Sequence, residues 1–372
     1  MLYNHEREIQ MNNSITIRQD ETPIYNISLE KGYTAVKEVL ETICSYSKRV
    51  CIVTDTTVGK YYLDTLTDAL RPFVNCVESF VFSAGEDSKN LTVVSELYEK
   101  LIKSHFDRKD LLIALGGGVV GDLTGFCAAT YLRGIRFVQM PTSLLAMVDS
   151  SIGGKTGVDF MAYKNMVGAF HQPSAVYMNL QTLLTLDQGQ YCSGFGEIIK
   201  HGLIKDIHYY NWLKENREKL LTRDLDALNE MIYKSCLIKK EVVEKDPKEK
   251  GDRALLNFGH TIGHAVEKLM DFKLLHGECV SVGIAAASYI SYSREDITKE
   301  EYEDIRNTLK EFHLPVSVTH LDKEEILRVM SHDKKVEGDK IKFILLNRIG
   351  DSRMDTTVTR EELIQAIDTI LV

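Results

Sequence analysis

Leu111-Leu112-Ile113-Ala114-Leu115 runs without a break into Gly116-Gly117-Gly118-Val119-Val120-Gly121-Asp122. Five apolar residues with no polar alternation read as a strand buried on both faces. The G-x-G-x-x-G that follows reads as a strand-to-helix turn. Its missing side chains let backbone N–H groups approach a phosphate at a helix N-terminus. Alone, the pattern also fits a plain tight turn. The acid expected about 20 residues further on in the usual dinucleotide fingerprint is missing. Pro141-Thr142-Ser143 stands there instead. The candidate ribose acid is Asp55, at the end of an earlier apolar run, and Glu86 and Lys89 share another such loop.

Outward from this stretch the same texture repeats. Arg49 to Thr54 stops at Asp55, Val77 to Phe82 stops at Ser83-Ala84-Gly85-Glu86, Phe137 to Met140 stops at Pro141, and Ala175 to Leu180 is a fourth short run. Helical patterns such as Val93 to Ser104 lie between them. This alternation predicts a mostly parallel sheet covered by helices, with ligands beyond the carboxyl ends of the strands. After about residue 186 helical patterns dominate: Ser193 to Lys205, Leu225 to Lys245, His260 to Met270, Val280 to Ser293 and Glu300 to Phe312, with Lys342 to Leu346 as one strand candidate. The expected fold class is α/β. It has a Rossmann-like parallel-sheet domain over 1–186, whose glycine turn suits a nucleotide, and a mainly α-helical domain over 187–372. A length of 372 residues, at roughly 150 per domain, agrees with two.

Composition narrows the classes. With 44% hydrophobic and 27% charged residues the chain reads as globular rather than disordered. Forty-five Lys and Arg against 54 Asp and Glu leave a charge of −9, which argues against nucleic-acid or anionic-membrane partners. A small anion met by a local cation cluster remains open. The seven cysteines (44, 51, 76, 127, 192, 236 and 279) form no C-x-x-C pair and read as buried thiols. No apolar run reaches the ~18 residues of a membrane span, and no secretory leader is visible, so a cytoplasmic protein is expected. The polar start, Met1 to Asn13, is expected to be a poorly ordered extension.

Two clusters carry chemistry. His260 and His264 lie at i and i+4 on one helical face, His276 follows in Leu275-His276-Gly277-Glu278, and Glu197 sits in Gly194-Phe195-Gly196-Glu197-Ile198-Ile199-Lys200-His201. The spacing of the first pair is that of zinc proteases, but Thr261 replaces their catalytic glutamate, so a peptidase loses its base. Two imidazoles and a carboxylate with an open position suit a catalytic Zn²⁺ or Co²⁺. The sequence leaves open which two histidines ligate. The second cluster is cationic. Lys239 falls in phase with Leu228, Ile232, Cys236 and Val243, where it either snorkels or meets an anion. Lys200, Arg253, Arg133, Lys155 after Gly153-Gly154, and Lys164-Asn165 lie in glycine- or histidine-bearing segments. So many cations imply a substrate with several negative charges.

Taken in order, the motifs resemble one family. They are Gly116 to Asp122, Tyr131-Leu132-Arg133-Gly134, Pro141 to Ala146, Asp149 to Thr156, Lys164-Asn165, Gly196 to Gly202 and Asn257-Phe258-Gly259-His260. Together they look like 3-dehydroquinate synthase, from about Asp55 to Gly350. The resemblance implies conversion of a seven-carbon sugar acid phosphate to 3-dehydroquinate, with catalytic NAD and one Zn²⁺ or Co²⁺. It implies Glu197, His260 and His276 as metal ligands, with His264 a substrate contact. For NAD it implies Asp55, Glu86, Lys89, Gly118, Val119, Val120, Gly121, Asp122, Thr142, Ser143, Lys155, Lys164, Thr182, Leu183, Leu184 and Thr185. For substrate it implies Asp149, Lys155, Asn165, Lys200, Lys239, Arg253, Asn257 and His264, and one of Lys334 and Lys335, with Lys335 preferred. Arg133 is expected from the neighbouring subunit of a homodimer. Ser143 departs from the family's more usual threonine but keeps a hydroxyl. The competing readings are a metal- and NAD-dependent polyol dehydrogenase of the glycerol dehydrogenase type, another sugar phosphate cyclase, and a non-enzymic nucleotide binder. The cations Lys155, Lys239 and Arg253 count against the first. Arg253 and Asn257, suited to a carboxylated substrate, count against the second.

Overall fold

The computed structural model describes residues 14–45, 47–161, 163–249, 251–271, 273–331, 336–337 and 340–372. The first half builds a seven-stranded sheet. Its strands are β1 (Ser14–Gln19), β2 (Thr22–Glu30), β3 (Val50–Asp55), β4 (Val77–Phe82), β5 (Leu111–Gly116), β6 (Arg136–Pro141) and β9 (Ala175–Asn179), in the order β1-β2-β9-β6-β5-β3-β4. Only the β1–β2 pair is antiparallel. β5 is buried at all six positions, which is why its sequence shows no alternation. Helices α1 (Val36–Cys44), α2 (Val58–Leu70), α3 (Leu91–Lys103) and α4 (Gly118–Thr130) cover it. In α3, Asn90 caps the start by accepting from the Val93 N–H at 3.0 Å, and Val94, Leu97 and Leu101 form the buried stripe.

Two parts of this half escape the sequence reading. Thr22–Glu30 pairs in parallel with β9 and Ser14–Gln19 folds back on it, so a hairpin extends the sheet. The segment after Gly153-Gly154 is an antiparallel hairpin of β7 (Lys155–Phe160) and β8 (Tyr163–Phe170). Gly157 and Gly168 face each other there, and a Cβ on Gly157 would meet the Val167 carbonyl oxygen at 2.9 Å.

The second half is helical: α5 (Gln188–Lys205), α6 (Ile207–Glu215), α7 (Arg217–Leu221), α8 (Leu225–Lys245), α9 (His260–Leu269), α10 (His276–Ser293), α11 (Lys299–Glu311), α12 (Lys323–Ser331) and α13 (Arg360–Asp368). The strand expected over Lys342 to Leu346 is Phe343–Arg348, paired with Asp351–Asp355. Two helices begin earlier than their apolar patterns. α5 starts at Gln188, after the Asp187 cap, and α10 starts at His276 rather than Val280. Among the described residues no helix is long and apolar enough to cross a membrane. The largest apolar cluster joins Ile15, Ile17, Tyr25, Ile27 and Met178 of the sheet to Phe195, Ile232 and Phe258 of the helices, so the two halves share a core. The Met1 to Asn13 extension lies outside the described residues.

Candidate active site

The glycine stretch ends β5 and opens α4, as the strand–turn–helix reading requires. A Cβ on Gly116 would fall inside the Val120 side chain, and one on Gly117 would lie 3.4 Å from the Ser143 hydroxyl. The bare backbone of the turn therefore faces Ser143. The Thr142 N–H donates to the Gly116 carbonyl at 3.0 Å, tying the end of β6 to the same turn. Asp55 ends β3. Its Oδ1 accepts from the N–H groups of Thr57 and Val58, both at 2.8 Å, so it holds the turn between the carboxyl edge of the sheet and α2. Thr182, Leu183, Leu184 and Thr185 follow β9 at the same edge. Arg223 braces that loop, donating to the carbonyls of Leu183 at 2.8 Å and Leu184 at 3.0 Å while its guanidinium stacks 4.5 Å over Tyr191.

Lys89 is buried, and its ammonium donates to Asp122 at 2.7 Å and to the Asn165 side chain at 2.6 Å. Burial alone would lower its pKa. Asp122 and Glu86 outweigh that and raise it, so it stays charged. Lys89 and Asp122 were expected at NAD and Asn165 at the substrate, and the fold makes them one group. Asn165 reaches it from a left-handed backbone position, φ +54°.

The imidazole and carboxylate cluster forms where α5, α9 and α10 meet. Glu197 is fully buried, with its Oε1 3.4 Å from His260 Nε2 and 3.7 Å from His276 Nε2. Ligand atoms about 2.0–2.2 Å from one tetrahedral ion stand roughly 3.4 Å apart, so this spacing fits a shared ion. Glu197 Oε1 is also a buried polar atom without a hydrogen-bond partner among the described residues, an arrangement that fits a bound cation. The ligating atoms of His260, His264 and His276 lie within 4.8 Å of one another, so His264 borders the same position. Burial would raise the Glu197 pKa, but Lys200 and His276 outweigh it and hold the carboxylate well below its usual range.

Close helix contacts put these groups side by side. A methyl on Gly277 would overlap the Ser193 carbonyl, one on Gly196 would overlap the Gly277 carbonyl, and one on Gly263 would sit 2.7 Å from the Cys279 carbonyl oxygen. Each glycine is next to a member of the cluster: Gly196 beside Glu197, Gly277 beside His276, Gly263 beside His264.

Behind the cluster lie two buried ammonium groups. Lys200 pairs with Glu197, and Lys239 pairs with the Asp149 carboxylate and donates to the Asp149 carbonyl at 2.5 Å. The lysine on the apolar stripe of α8 thus meets an anion and does not snorkel. Burial lowers Lys239, and at Asp149 the attraction of Lys239 overcomes burial to keep the carboxylate ionised. Arg253 is 3% exposed and reaches the Pro247 carbonyl at 2.8 Å and the Gly153 carbonyl at 3.5 Å. Lys239 and Arg253 therefore meet opposite ends of the 149–153 turn.

Three groups here were given no role by the sequence reading. Glu249, at φ +56°, ion-pairs with Lys155 and accepts from the Asn257 amide at 2.9 Å. Glu267 on α9 accepts from Lys164 at 2.9 Å and lies 3.5 Å from His276 Nδ1. His201 is buried with Nδ1 2.6 Å from the Ser235 hydroxyl. Only tertiary pairing singles them out from other Glu and His residues. Arg133 is not brought in. It is exposed at the far end of α4 from Gly118, roughly 20 Å away at 1.5 Å per residue. Lys334 and Lys335 lie outside the described residues.

Fold and site together define an α/β enzyme in which a glycine-lined strand-to-helix turn ends the sheet and a buried carboxylate–imidazole cluster, backed by ammonium groups, lies among the helices. Family models described as the N-terminal and C-terminal parts of 3-dehydroquinate synthase match residues 79–193 and 194–336. A 3-dehydroquinate synthase of Acetivibrio thermocellus is 43% identical over 344 residues, 92% of this chain and 95% of the relative. One of Ruminiclostridium cellulolyticum is 44% identical over 336 residues, 90% and 93%. Among solved structures, a 2-epi-5-epi-valiolone synthase from Streptomyces hygroscopicus with NAD⁺ and Zn²⁺ bound superposes with a TM-score of 0.85. It is 28% identical, over 93% of this chain and 96% of its own. The chain belongs to the 3-dehydroquinate synthase family and is a lyase.

Proposed function

We propose that this protein converts 3-deoxy-D-arabino-heptulosonate 7-phosphate to 3-dehydroquinate and phosphate, in the shikimate pathway, with catalytic NAD and one Zn²⁺ or Co²⁺. The observation that carries the reading is the pairing of the Glu197–His260–His276 cluster with three buried cations, Lys200, Lys239 and Arg253. A polyol oxidation needs the cluster but not the cations. When bound, NAD supplies reversible hydride transfer and the metal ion polarises the oxygen being oxidised.

The chain's own residues bind, orient and exclude water. Glu197, His260 and His276 hold the ion. Gly118 to Asp122, Thr142, Ser143 and the 182–185 loop receive the nucleotide, with Asp55 on its ribose. Arg253 and Lys239, at the two ends of one turn, hold the substrate carboxylate, where a planar fork is well matched. Lys155, Asn165, Asn257 and His264 hold the phosphate. Glu249 supports that assignment, because its carboxylate already bridges Lys155 and Asn257 as a phosphate would. Oxidation acidifies the adjacent C–H, and phosphate leaves with its own oxygen taking the proton. The returned hydride, ring opening and an intramolecular aldol step complete the product.

The reading includes a division near residue 186, a cytoplasmic protein and a homodimer that brings Arg133 of one protomer to the site of the other. The exposure of Arg133 and Leu132 at the far end of α4 supports the last point. The test is incubation with the sugar acid phosphate, NAD⁺ and Zn²⁺ or Co²⁺. Phosphate release without net NADH is expected. Stoichiometric NADH from a polyol, or turnover of sedoheptulose 7-phosphate and not of the acid, refutes it.

A further inference from the structure

Glu267 belongs to none of the sets above, yet it is 5% exposed, and each carboxylate oxygen meets a different half of the chain. Oε1 is 2.9 Å from the ammonium of Lys164 on β8, and Oε2 is 3.5 Å from His276 Nδ1. The other face of the His276 ring, Nε2, is 3.7 Å from Glu197. The Lys164 ammonium also lies 3.8 Å from Glu86, on the loop after β4. One polar chain thus runs from Glu86 through Lys164, Glu267 and His276 to Glu197. It begins at the carboxyl edge of the sheet and ends in the imidazole cluster.

We propose that Glu267 is a positioning residue that fixes the His276 ring for the metal ion and, through Lys164, couples metal binding to nucleotide binding. The proposal rests on the function assigned above. A carboxylate at Nδ1 holds the proton on that nitrogen and turns the lone pair of Nε2 toward Glu197 and His260, as partners of metal-bound histidines generally do. A bare interdomain tether would need only the Lys164 contact. The second oxygen on the imidazole of a ligand is what a tether leaves unexplained. The link to the nucleotide follows from Lys164. A nucleotide phosphate competes with Glu267 for that ammonium, and a Glu267 relieved of Lys164 accepts more strongly from His276. NAD⁺ should then tighten the metal, and by reciprocity the metal should tighten NAD⁺ by the same factor.

The experiment measures Zn²⁺ affinity by chelator competition on the full chain, with and without saturating NAD⁺, for the wild type and Glu267→Gln. The amide keeps the size and an acceptor but removes the charge. Expected are a wild-type affinity that rises several-fold with NAD⁺, a variant weaker by about 10–100-fold, and loss of the NAD⁺ effect in the variant. The visible spectrum of the Co²⁺-loaded variant should also shift, because the His276 ring is reoriented. Wild-type metal and NAD⁺ binding with an unaltered spectrum and affinity in Glu267→Gln overturns the positioning role. A wild type whose metal affinity ignores NAD⁺ overturns the coupling. If Glu267→Gln does not fold, Glu267→Asp, which withdraws the carboxylate by one methylene, is read the same way. A wild type that binds neither metal nor NAD⁺ refutes instead the function on which the proposal rests.

Discussion

Gly263→Ala tests whether backbone-close helix packing sets the geometry of the cluster. The added Cβ would lie 2.7 Å from the Cys279 carbonyl oxygen and 3.1 Å from its carbon. Ordinary contact begins at 3.4 Å, so α9 must retreat from α10 by about 0.7 Å. Both atoms are main chain inside a helix, so no side chain can swing away. The substitution has one favourable effect, roughly 1 kcal/mol of helix propensity for alanine over glycine. Overpacking costs about 1–3 kcal/mol and offsets it or more. The larger consequence is at the site. His260 and His264 ride on α9 and His276 on α10, and metal–ligand distances tolerate only about ±0.2 Å. A retreat of this size therefore weakens metal binding far more than it lowers the unfolding temperature. The assay is Zn²⁺ affinity by chelator competition beside a thermal scan of the chelated protein. A folded Gly263→Ala with wild-type metal affinity refutes the reasoning.

Further outcomes are expected. His276→Ala should lose most bound metal and, with it, activity; elemental analysis after dialysis checks this, and a fully metallated, active variant removes His276 from the ligand set. Arg253→Lys should raise the substrate KM about tenfold or more because the bidentate fork is lost, as steady-state kinetics will show. Arg223→Gln should weaken NAD⁺ binding by about tenfold with little change in metal content, since two charge-assisted bonds to the 182–185 loop disappear; NAD⁺ titration reads this. Burial, with Lys200 adding to it, pushes the His201 pKa down to about 3 from 6.5. Between those values the unfolded chain binds a proton that the folded chain does not. Stability is then full above pH 6.5 and falls as the pH drops, by up to ~1.4 kcal/mol per unit. Denaturant unfolding of chelator-treated protein from pH 7.5 to 5 should be less steep in pH for His201→Gln than for the wild type.

The parallel sheet was legible because β3, β5 and β9 are buried on both faces and carry uninterrupted apolar runs. The hairpins were not. Thr22–Glu30 begins with three exposed residues, and Tyr163–Phe170 buries none of its residues, so neither has a strong period. α10 was cut short for the opposite reason. Its first turn, His276-Gly277-Glu278, is chosen for the site and for contact with Ser193, not for helix propensity. In the site, the residues with a local signature (glycine turns, i,i+4 histidines, a lysine on an apolar stripe) could be read in advance. Glu249, Glu267 and His201 could not, because a lone glutamate or histidine acquires meaning only from the partner the fold brings to it.

The candidate ligands stand on three separate helices, and this has a mechanical consequence. Glu197 and His260 are 63 positions apart, and His276 follows 16 later. An ion gripping all three would close two loops of chain at once, much as a pair of disulfides would in an oxidised protein, and would remove loop entropy from the unfolded state. The seven cysteines form no disulfides. The ion would then be the helical half's only covalent-like staple among the described residues, so its removal should loosen α9 and α10 as well as stop the chemistry.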